Sequence, residues 1–260
     1  MSAKLLRVAV AALALTMVAC AHAGRSCEQK RPEAATVMRA MTLAEHVSQR
    51  LNVTGAQVVV LARMGQDLSK YGQRYSHMGL AYREGKSWRV AHKLNQCGTA
   101  QAAVYRQGLG EFFLDDLFDY QAGVALLTDE VQAKLLPVLR DNRKLAQLHT
   151  SAYSMVAYPW AQTYQQSNQW ALETLAMTQD PAATRRETAQ AWLRIQGYEP
   201  TTLHLSAFTR LGARMTAANV AFDDHPNEKR FTDRIETVTV DSAFAWLQRS
   251  SMSPAILAIR

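Results

Sequence analysis

The sequence predicts one α+β domain, because helical and strand patterns alternate along a chain that has no internal linker. Residues 34–51 carry apolar side chains at the spacing of an amphipathic helix. Residues 56–62 form a short, continuous apolar run rich in Val, which is typical of a buried strand. Residues 75–83 and 88–94 lie on either side of a turn that contains Gly85, and this pattern predicts a β-hairpin.

The rest of the chain continues this mixture of elements. Thr128 begins a helical pattern that extends to about His149, and Pro137 predicts a kink or break inside it because proline lacks the amide hydrogen. Residues 111–120 are rich in Phe and Asp and do not distinguish helix from strand. The other predicted elements are helices at 167–177 and 182–196, a strand at 236–240 and a short helix at 241–248.

Composition and charge indicate a globular protein without a nucleic-acid partner. Of the 260 residues, 48% are hydrophobic, which excludes an intrinsically disordered chain. The 29 Lys and Arg against 22 Asp and Glu give a net charge of +7. These positive charges are scattered along the sequence, whereas a nucleic-acid-binding protein usually concentrates them on one face. The excess is only weak evidence for an anionic partner.

The first 23 residues have the three parts of a secretory signal peptide. Lys4 and Arg7 form the basic start, residues 8–18 are apolar, and Ala21-His22-Ala23 supplies the small residues of a cleavage site. The apolar part is too short to span a bilayer, which takes about 20 residues. We therefore expect export to the periplasm, no transmembrane segment, and a mature single domain of residues 24–260.

An alternative interpretation of the same segment is lipidation. Residues 17–20 resemble a lipoprotein cleavage box that ends in Cys20, although Met17 fits the first position of such a box poorly. Cleavage before Gly24 is the interpretation that we prefer.

Cleavage there leaves two cysteines, Cys27 and Cys97, in a compartment that permits disulfides. A bridge between them would close a long loop and tie the mature N-terminus to the domain. The alternative is that Cys97 is a free nucleophile near a histidine. We expect the bridge, because an even pair of cysteines in an exported chain seldom stays reduced.

Two histidines lie on the predicted hairpin. His77 is at the start of the first strand and His92 is on the return strand. A two-stranded ribbon brings both imidazoles into one neighbourhood, where one acts as a base and the other orients it. Two unrelated, half-exposed histidines on a sheet are the simpler interpretation of the same spacing.

The residues around these histidines resemble a known enzyme group. The motif Ser76-His77-Met78-Gly79-Leu80, followed by a turn and Trp88-Arg89-Val90-Ala91-His92, is similar to the histidine strand of circularly permuted NlpC-type, papain-like enzymes, which include relatives of the lecithin–retinol acyltransferases. In that group the histidine strand precedes a helix that begins with the cysteine nucleophile. The stretch Gln166-Ser167-Asn168-Gln169-Trp170 looks like this helix, with Ser167 where the cysteine would be. The resemblance implies a papain-like core with an antiparallel sheet and packed helices.

A second resemblance covers nearly the whole mature chain. Its phrases AHAGRSC, DLSKYG, RYSHMG, HKLNQCGT, YQQSNQW and FDDHPNEKR look like those of a family of uncharacterised exported proteobacterial proteins. This second likeness implies no assayed activity.

Replacing cysteine by serine changes the chemistry that the first resemblance implies. A serine hydroxyl needs a positioned base and donors for the oxyanion, which the N-terminus of a helix supplies. In this interpretation His77 deprotonates Ser167 and His92 orients His77. Serine is also a preferred N-cap residue, so Ser167 as a simple helix cap is the alternative. For substrate binding we single out Asn168, Trp170 and Tyr164; a surface or supporting amide for Asn168 and core packing for the two aromatic residues are the alternatives.

A polar segment near the C-terminal end, Asp223-Asp224-His225, contains residue types that bind metals. Its Pro226 and Asn227 favour a turn instead, with the Asp side chains bonded to nearby backbone. The sequence has no HExxH motif, no Cys–His zinc spacing and no glycine-rich phosphate motif. We therefore expect no metal and no cofactor.

Together these features lead to two expectations about function. The first is a periplasmic, papain-like hydrolase or acyl-transfer protein that acts on an amide or ester of a cell-envelope peptide or lipid. The second is a non-catalytic exported protein that uses the same scaffold to bind a ligand, which the loss of the cysteine favours. The sequence leaves the substrate and the oligomeric state open.

Overall fold

The computed structural model describes residues 31–115 and 117–260. The predicted signal peptide at 1–23, the lipidation candidate Cys20, and Cys27 lie outside the described residues. Within them the fold mixes helices and strands, as the sequence predicts.

One six-stranded antiparallel sheet organises the chain. Its strand order is β4-β3-β2-β1-β5-β8, and the two remaining strands, β6 and β7, form a separate pair. The strands are β1 (Val58–Met64), β2 (His77–Glu84), β3 (Ser87–Asn95), β4 (Ala102–Gly108), β5 (Asp119–Leu126), β6 (Thr201–His204), β7 (Arg234–Thr237) and β8 (Ala255–Ile259).

The predicted hairpin is confirmed. Strands β2 and β3 pair in the antiparallel register Glu84 with Ser87, and Gly85 in the turn between them adopts a φ of 61°, which favours glycine. The pairing of the two strands extends as far as Leu80 with Ala91. The first residues of β2 are therefore paired with β1 alone, a detail that shapes the candidate site.

Helices cover both faces of the sheet. They are α1 (Ala34–Thr54), α2 (Leu109–Phe113), α3 (Asp129–Arg140), α4 (Asn142–Ala146), α5 (Ser167–Gln179), α6 (Arg186–Ile195), α7 (Ala207–Thr216), α8 (Asn227–Arg230) and α9 (Val240–Arg249). In the part of the chain that the structure describes, no helix is both long and apolar enough to cross a membrane.

The alternation of side chains along the strands divides the core into two clusters. On one face of β1, Val59 and Leu61 pack with α1 and α2. On the other face, Val58 and Val60 pack with α3, α5 and α9. The sheet is therefore buried on both sides, which explains why the β1 sequence is apolar without a break.

The break in the helical segment after Thr128 lies at a different place from the one predicted. Pro137 is inside α3, and the helix continues to Arg140. The chain leaves the helix at Asp141, whose side chain accepts hydrogen bonds from the backbone N–H groups of Arg143 and Lys144 and so caps α4. Helix termination here depends on the new cap rather than on the proline.

Candidate functional site

Two adjacent strands bring the two predicted histidines together. His77 begins β2, and its register partner on β1 is Arg63. His92 lies on β3 and projects to the same face of the sheet, where a side chain at Gly79 would collide with it. The His77 Nε2 atom lies 2.9 Å from His92 Nδ1, and the two rings meet edge to face with centroids 5.2 Å apart. The expectation that the hairpin juxtaposes the imidazoles is met.

A third side chain fixes the direction of this hydrogen bond. Gln107 on β4 places its Oε1 atom 2.8 Å from His92 Nε2, and a carbonyl oxygen can only accept. His92 Nε2 therefore carries a hydrogen, and His92 Nδ1 is the acceptor for the Nε2–H group of His77. This chain of donors leaves Nδ1 of neutral His77 with a lone pair, which is the form that a general base requires.

Burial keeps both imidazoles neutral. It is the main reason that the pKa of His77 lies well below its ordinary value, with further lowering by the Arg63 guanidinium and by His92. Burial also lowers the pKa of His92 to about 4; Arg63 contributes, and the hydrogen bond to Gln107 opposes the change. At neutral pH both imidazoles are therefore unprotonated.

The pair is enclosed by residues that the sequence did not single out. Phe112 of α2 is fully buried and its ring centroid lies 5.2 Å from that of His92 and 5.9 Å from that of His77. The Arg63 guanidinium stacks over the same ring, donates to the Phe112 carbonyl oxygen and forms an ion pair with Asp115. An arginine inside an otherwise apolar strand was the signal in the sequence that could have found this group.

Helix α5 begins beside β2, the strand that carries His77, and Ser167 is not its N-cap. The N-cap is Gln166, whose Oε1 accepts from Asn168 N–H and whose backbone N–H donates to Gln169 Oε1. The alternative interpretation of Ser167 as the N-cap is therefore wrong: the helix begins one residue earlier in the chain than that interpretation requires. The Gln166 Nε2 group also donates to Thr237 Oγ1 and Val238 O, which holds the start of the helix in place.

Asn168 connects the helix to the strand that carries His77. Its Oδ1 accepts from the Met78 backbone N–H at 2.9 Å, and its Nδ2 donates to Ser76 O at 3.4 Å. These two contacts flank His77 in the chain. They occupy the part of β2 that β3 leaves unpaired, so the N-terminus of α5 inserts where the two strands separate.

Ser167 is nearly buried and its side chain lies by the Tyr153 hydroxyl. Burial raises the pKa of Tyr153, and the interaction with Ser167 partly offsets this. The body of α5 packs on the sheet face opposite the imidazoles, together with Met78. Among the described residues, no hydrogen bond joins the Ser167 side chain to His77.

The two aromatic candidates have different surroundings. Trp170 is fully buried in the larger core cluster, which favours core packing for it. Tyr164 is partly exposed, and its hydroxyl lies 3.2 Å from a carboxylate oxygen of Asp223. Neither ring is found in contact with an imidazole of the pair.

A buried charged network supports the segment that leads into α5. The ammonium of Lys93 donates to Thr150 O and to Gln165 Oε1, at 2.6 and 2.9 Å. Gln165 donates in turn to Glu173, and Glu173 pairs with the Arg186 guanidinium at 2.9 Å. Burial lowers the pKa of Lys93 to about 7, with Arg186 adding to the effect and Glu173 opposing it. The network holds in place the segment that precedes Ser167, on the face of the sheet away from the imidazoles.

The Asp223-Asp224-His225 segment forms a turn, as its Pro and Asn indicated. The His225 Nδ1 atom lies 3.0 Å from Asp224 Oδ1, and Asp224 Oδ2 accepts from the Tyr158 backbone N–H. His225 Nε2 contacts Glu236 O. Within residues 31–115 and 117–260, no group of three or more His, Cys, Asp or Glu side chains is arranged to hold a metal ion. The segment links the loop at Tyr158 to β7.

Cys97 lies in the connection between β3 and β4. Since Cys27 is outside the described residues, the bridge between the two cysteines stays a prediction.

Comparison with known proteins gives one match. A family model described as "Uncharacterized protein conserved in bacteria (DUF2145)" matches residues 50–247, which contain both imidazoles, Gln107 and the start of α5. No curated protein and no solved structure matches the chain.

Proposed function

We propose a hydrolytic function for this chain, which belongs to the DUF2145 family of conserved bacterial proteins. In this proposal the protein is a periplasmic, papain-like acyl-transfer hydrolase that cleaves an amide or ester of a cell-envelope component. His77 is the general base, His92 and Gln107 orient it, and Ser167 is the nucleophile. The observation that carries the proposal is the chain from Gln107 through His92 to His77, which leaves the Nδ1 lone pair of His77 available.

The reaction proceeds in two steps. His77 Nδ1 takes the proton from Ser167 Oγ as the oxygen forms a bond to the acyl carbon, and the protonated imidazole then gives that proton to the leaving amine or alcohol. Water attacks the acyl-serine with His77 again as the base, which releases the acid and restores the hydroxyl. The positive end of α5 stabilises the developing oxyanion.

Two contacts support the choice of Ser167. Gln166 provides the cap of α5, so the Ser167 hydroxyl has no capping function. Asn168, the next residue, is bonded to the backbone on both sides of His77, so the serine starts from a position beside the strand that carries the base. The body of α5 packs on the sheet face opposite the imidazoles, so this proposal requires the hydroxyl to approach His77 at the place where β2 and β3 separate. In the absence of substrate such catalytic hydrogen bonds are often long and tighten only on binding.

A phosphonate that reacts with activated serines tests this proposal. We expect a fluorophosphonate to modify Ser167, as located by peptide mass spectrometry, and both Ser167→Ala and His77→Ala to lose the label. Ser87→Ala is the matched control, since Ser87 is exposed in the hairpin turn region, and it should label like the natural protein. Equal labelling of all four proteins, or none of the natural protein, would reject the serine mechanism.

The second candidate is a non-catalytic exported binding protein on the same scaffold. The observation that favours it is the surroundings of Ser167, which is only 5% exposed and lies by Tyr153 rather than hydrogen-bonded to an imidazole. In this case the protein gives no phosphonate label and no turnover of p-nitrophenyl esters, while a cell-envelope extract fraction still raises its melting temperature.

A further inference from the structure

Helix α7 presents an unusual outer surface. Phe208, Leu211 and Met215 recur at helical spacing and are 88, 57 and 76% exposed. No residue of the helix is buried, and the partly buried positions Arg210, Ala213 and Thr216 face the body of the protein. An exposed stripe of three large apolar side chains on one short helix is a feature of interaction surfaces.

The neighbouring helix extends this surface. The Arg210 guanidinium donates to the Arg230 backbone carbonyl oxygen, which fastens α7 to α8. Phe231, directly after α8, is 72% exposed, and the Arg230 guanidinium lies 5.5 Å from its ring centroid. We call Phe208, Leu211, Met215 and Phe231, together with Arg214 and Arg230, the α7 surface.

Most charged side chains on this surface are arginines, and they form no ion pairs with carboxylates among the described residues. Helix α7 contains two arginines and no acidic residue. Nearby carboxylates are engaged: Asp233 with His204, and Glu236 with Lys229. Glu228 is the exposed acidic residue of α8. Within the described ranges, no ion pair involves the following arginines: Arg210, Arg214, Arg230 and Arg234.

We propose that the α7 surface docks on an anionic lipid bilayer, with Phe208, Leu211 and Met215 inserted among the acyl chains near the headgroups. A short amphipathic helix with exposed Phe and Leu and with flanking arginines has the composition of an interfacial helix. The exposed Arg214 of this helix meets negatively charged headgroups, which attract basic residues close to a membrane.

Charge distinguishes this occupant from a second copy of the chain. A symmetric dimer through the α7 surface would bring the same patch of each subunit together. The arginines would then face arginines, which repel each other. An anionic bilayer instead satisfies both the apolar stripe and the charges around it. The inference is independent of the proposed catalytic site.

Vesicle co-sedimentation tests the proposal. Protein that begins at Gly24 is mixed with vesicles of phosphatidylcholine alone or with added phosphatidylglycerol, so that the apolar segment at 8–18 does not contribute. We expect binding to the anionic vesicles, at least tenfold weaker binding to the neutral ones, and weakening by salt. The triple variant Phe208→Ser, Leu211→Ser, Met215→Ser should lose at least tenfold in affinity for the anionic vesicles.

Matched controls keep the result specific. Ile195→Ser removes a side chain that is 81% exposed on another helix, and it should bind like the natural protein. A Phe208→Trp variant should gain fluorescence that brominated lipids quench, which a merely misfolded protein would not show. Binding of the triple variant at natural strength would overturn the proposal. So would a natural protein that ignores anionic vesicles, or a dimer in solution that the triple variant dissociates.

Discussion

The Nε2–H group of His77 donates to His92 Nδ1 over 2.9 Å, and this bond has its direction because Gln107 accepts from the far side of His92. Three strands, β2, β3 and β4, each contribute one member of the chain. The relationship fixes a tautomer rather than a charge, since burial keeps both rings neutral. A residue two strands away thereby specifies which nitrogen of His77 keeps its lone pair.

Removing the acceptor should therefore randomise the tautomers. Gln107→Met keeps the length of the side chain without its carbonyl oxygen. We expect esterase activity and phosphonate labelling to fall about 10- to 100-fold, as for other partners that orient a functional histidine. Nitrogen-15 NMR of the imidazoles should show mixed tautomers at His77. Gln107→Glu, which retains an acceptor, should keep the natural tautomer; a Gln107→Met spectrum identical to that of the natural protein would contradict this explanation.

Stability should decrease in mild acid because of the same pair. The pKa of His92 is about 4 in the folded protein and near 6.5 when unfolded, so the unfolded chain binds more protons between these values. The free energy of unfolding is retained above pH 6.5 and falls as the pH drops towards 4, by about 3 kcal/mol from His92 alone. Urea unfolding at a series of pH values measures it. His92→Gln should flatten the dependence, and a dependence in this variant as steep as that of the natural protein would contradict the explanation.

Gly79 is required for the two rings to meet. A Cβ atom at this position would lie 2.7 Å from Val90 Cγ1 and 2.9 Å from His92 Cβ, inside van der Waals contact. Gly79→Ala should displace β3 from β2, lower the free energy of unfolding by about 1–3 kcal/mol and reduce activity. Thermal unfolding and ester hydrolysis measure both effects. Gly108→Ala is the control, because a Cβ there meets no atom within 4 Å. A Gly79→Ala protein as stable and active as the control would disprove the steric argument.

The sequence predicts those parts of the fold that have a local signal. The hairpin was predictable from alternation and the glycine turn, and it places His77 and His92 on the same face of the sheet. Strand β4, which contributes Gln107, has only weak alternation and was not predicted. Helix α2, which contributes Phe112, is five residues long and too short to show a helical period. The partners of the two histidines could therefore not be identified from local sequence, because tertiary packing brings them together.

The structure also differs from the sequence-based expectations in a helix cap, a short strand and a set of buried contacts. The predicted start of α5 at residue 167 is confirmed, whereas the sequence left the cap open and the structure assigns it to Gln166. Strand β8 is a five-residue apolar run, which periodicity alone does not assign. Lys93 is fully buried although its sequence neighbours gave no sign of the partners Gln165 and Thr150. Such contacts follow from packing over long sequence separations.

The last prediction separates the cap of α5 from its chemistry. Gln166→Ala removes a side chain that accepts from Asn168 N–H and donates to Thr237 and Val238, and it leaves buried polar groups unpaired. We expect a loss of about 2–4 kcal/mol in the free energy of unfolding from the cap and the unpaired groups together. Ser167→Ala should cost less than Gln166→Ala, about 1–2 kcal/mol, because the hydroxyl has no capping bond and its loss affects only the contact with Tyr153.

Activity should rank the two variants in the opposite order to stability, with Ser167→Ala the more inactive and Gln166→Ala the less stable. Ser167→Ala should abolish phosphonate labelling and ester hydrolysis in a protein that still unfolds at nearly the natural urea concentration. Gln166→Ala should retain labelling under conditions in which it is folded, because it removes the support of the helix and not the nucleophile. Urea unfolding and labelling measured on the same samples distinguish the two effects. If Ser167→Ala were the more destabilised variant and still turned over esters, the hydroxyl would be structural and the nucleophile would have to be sought elsewhere.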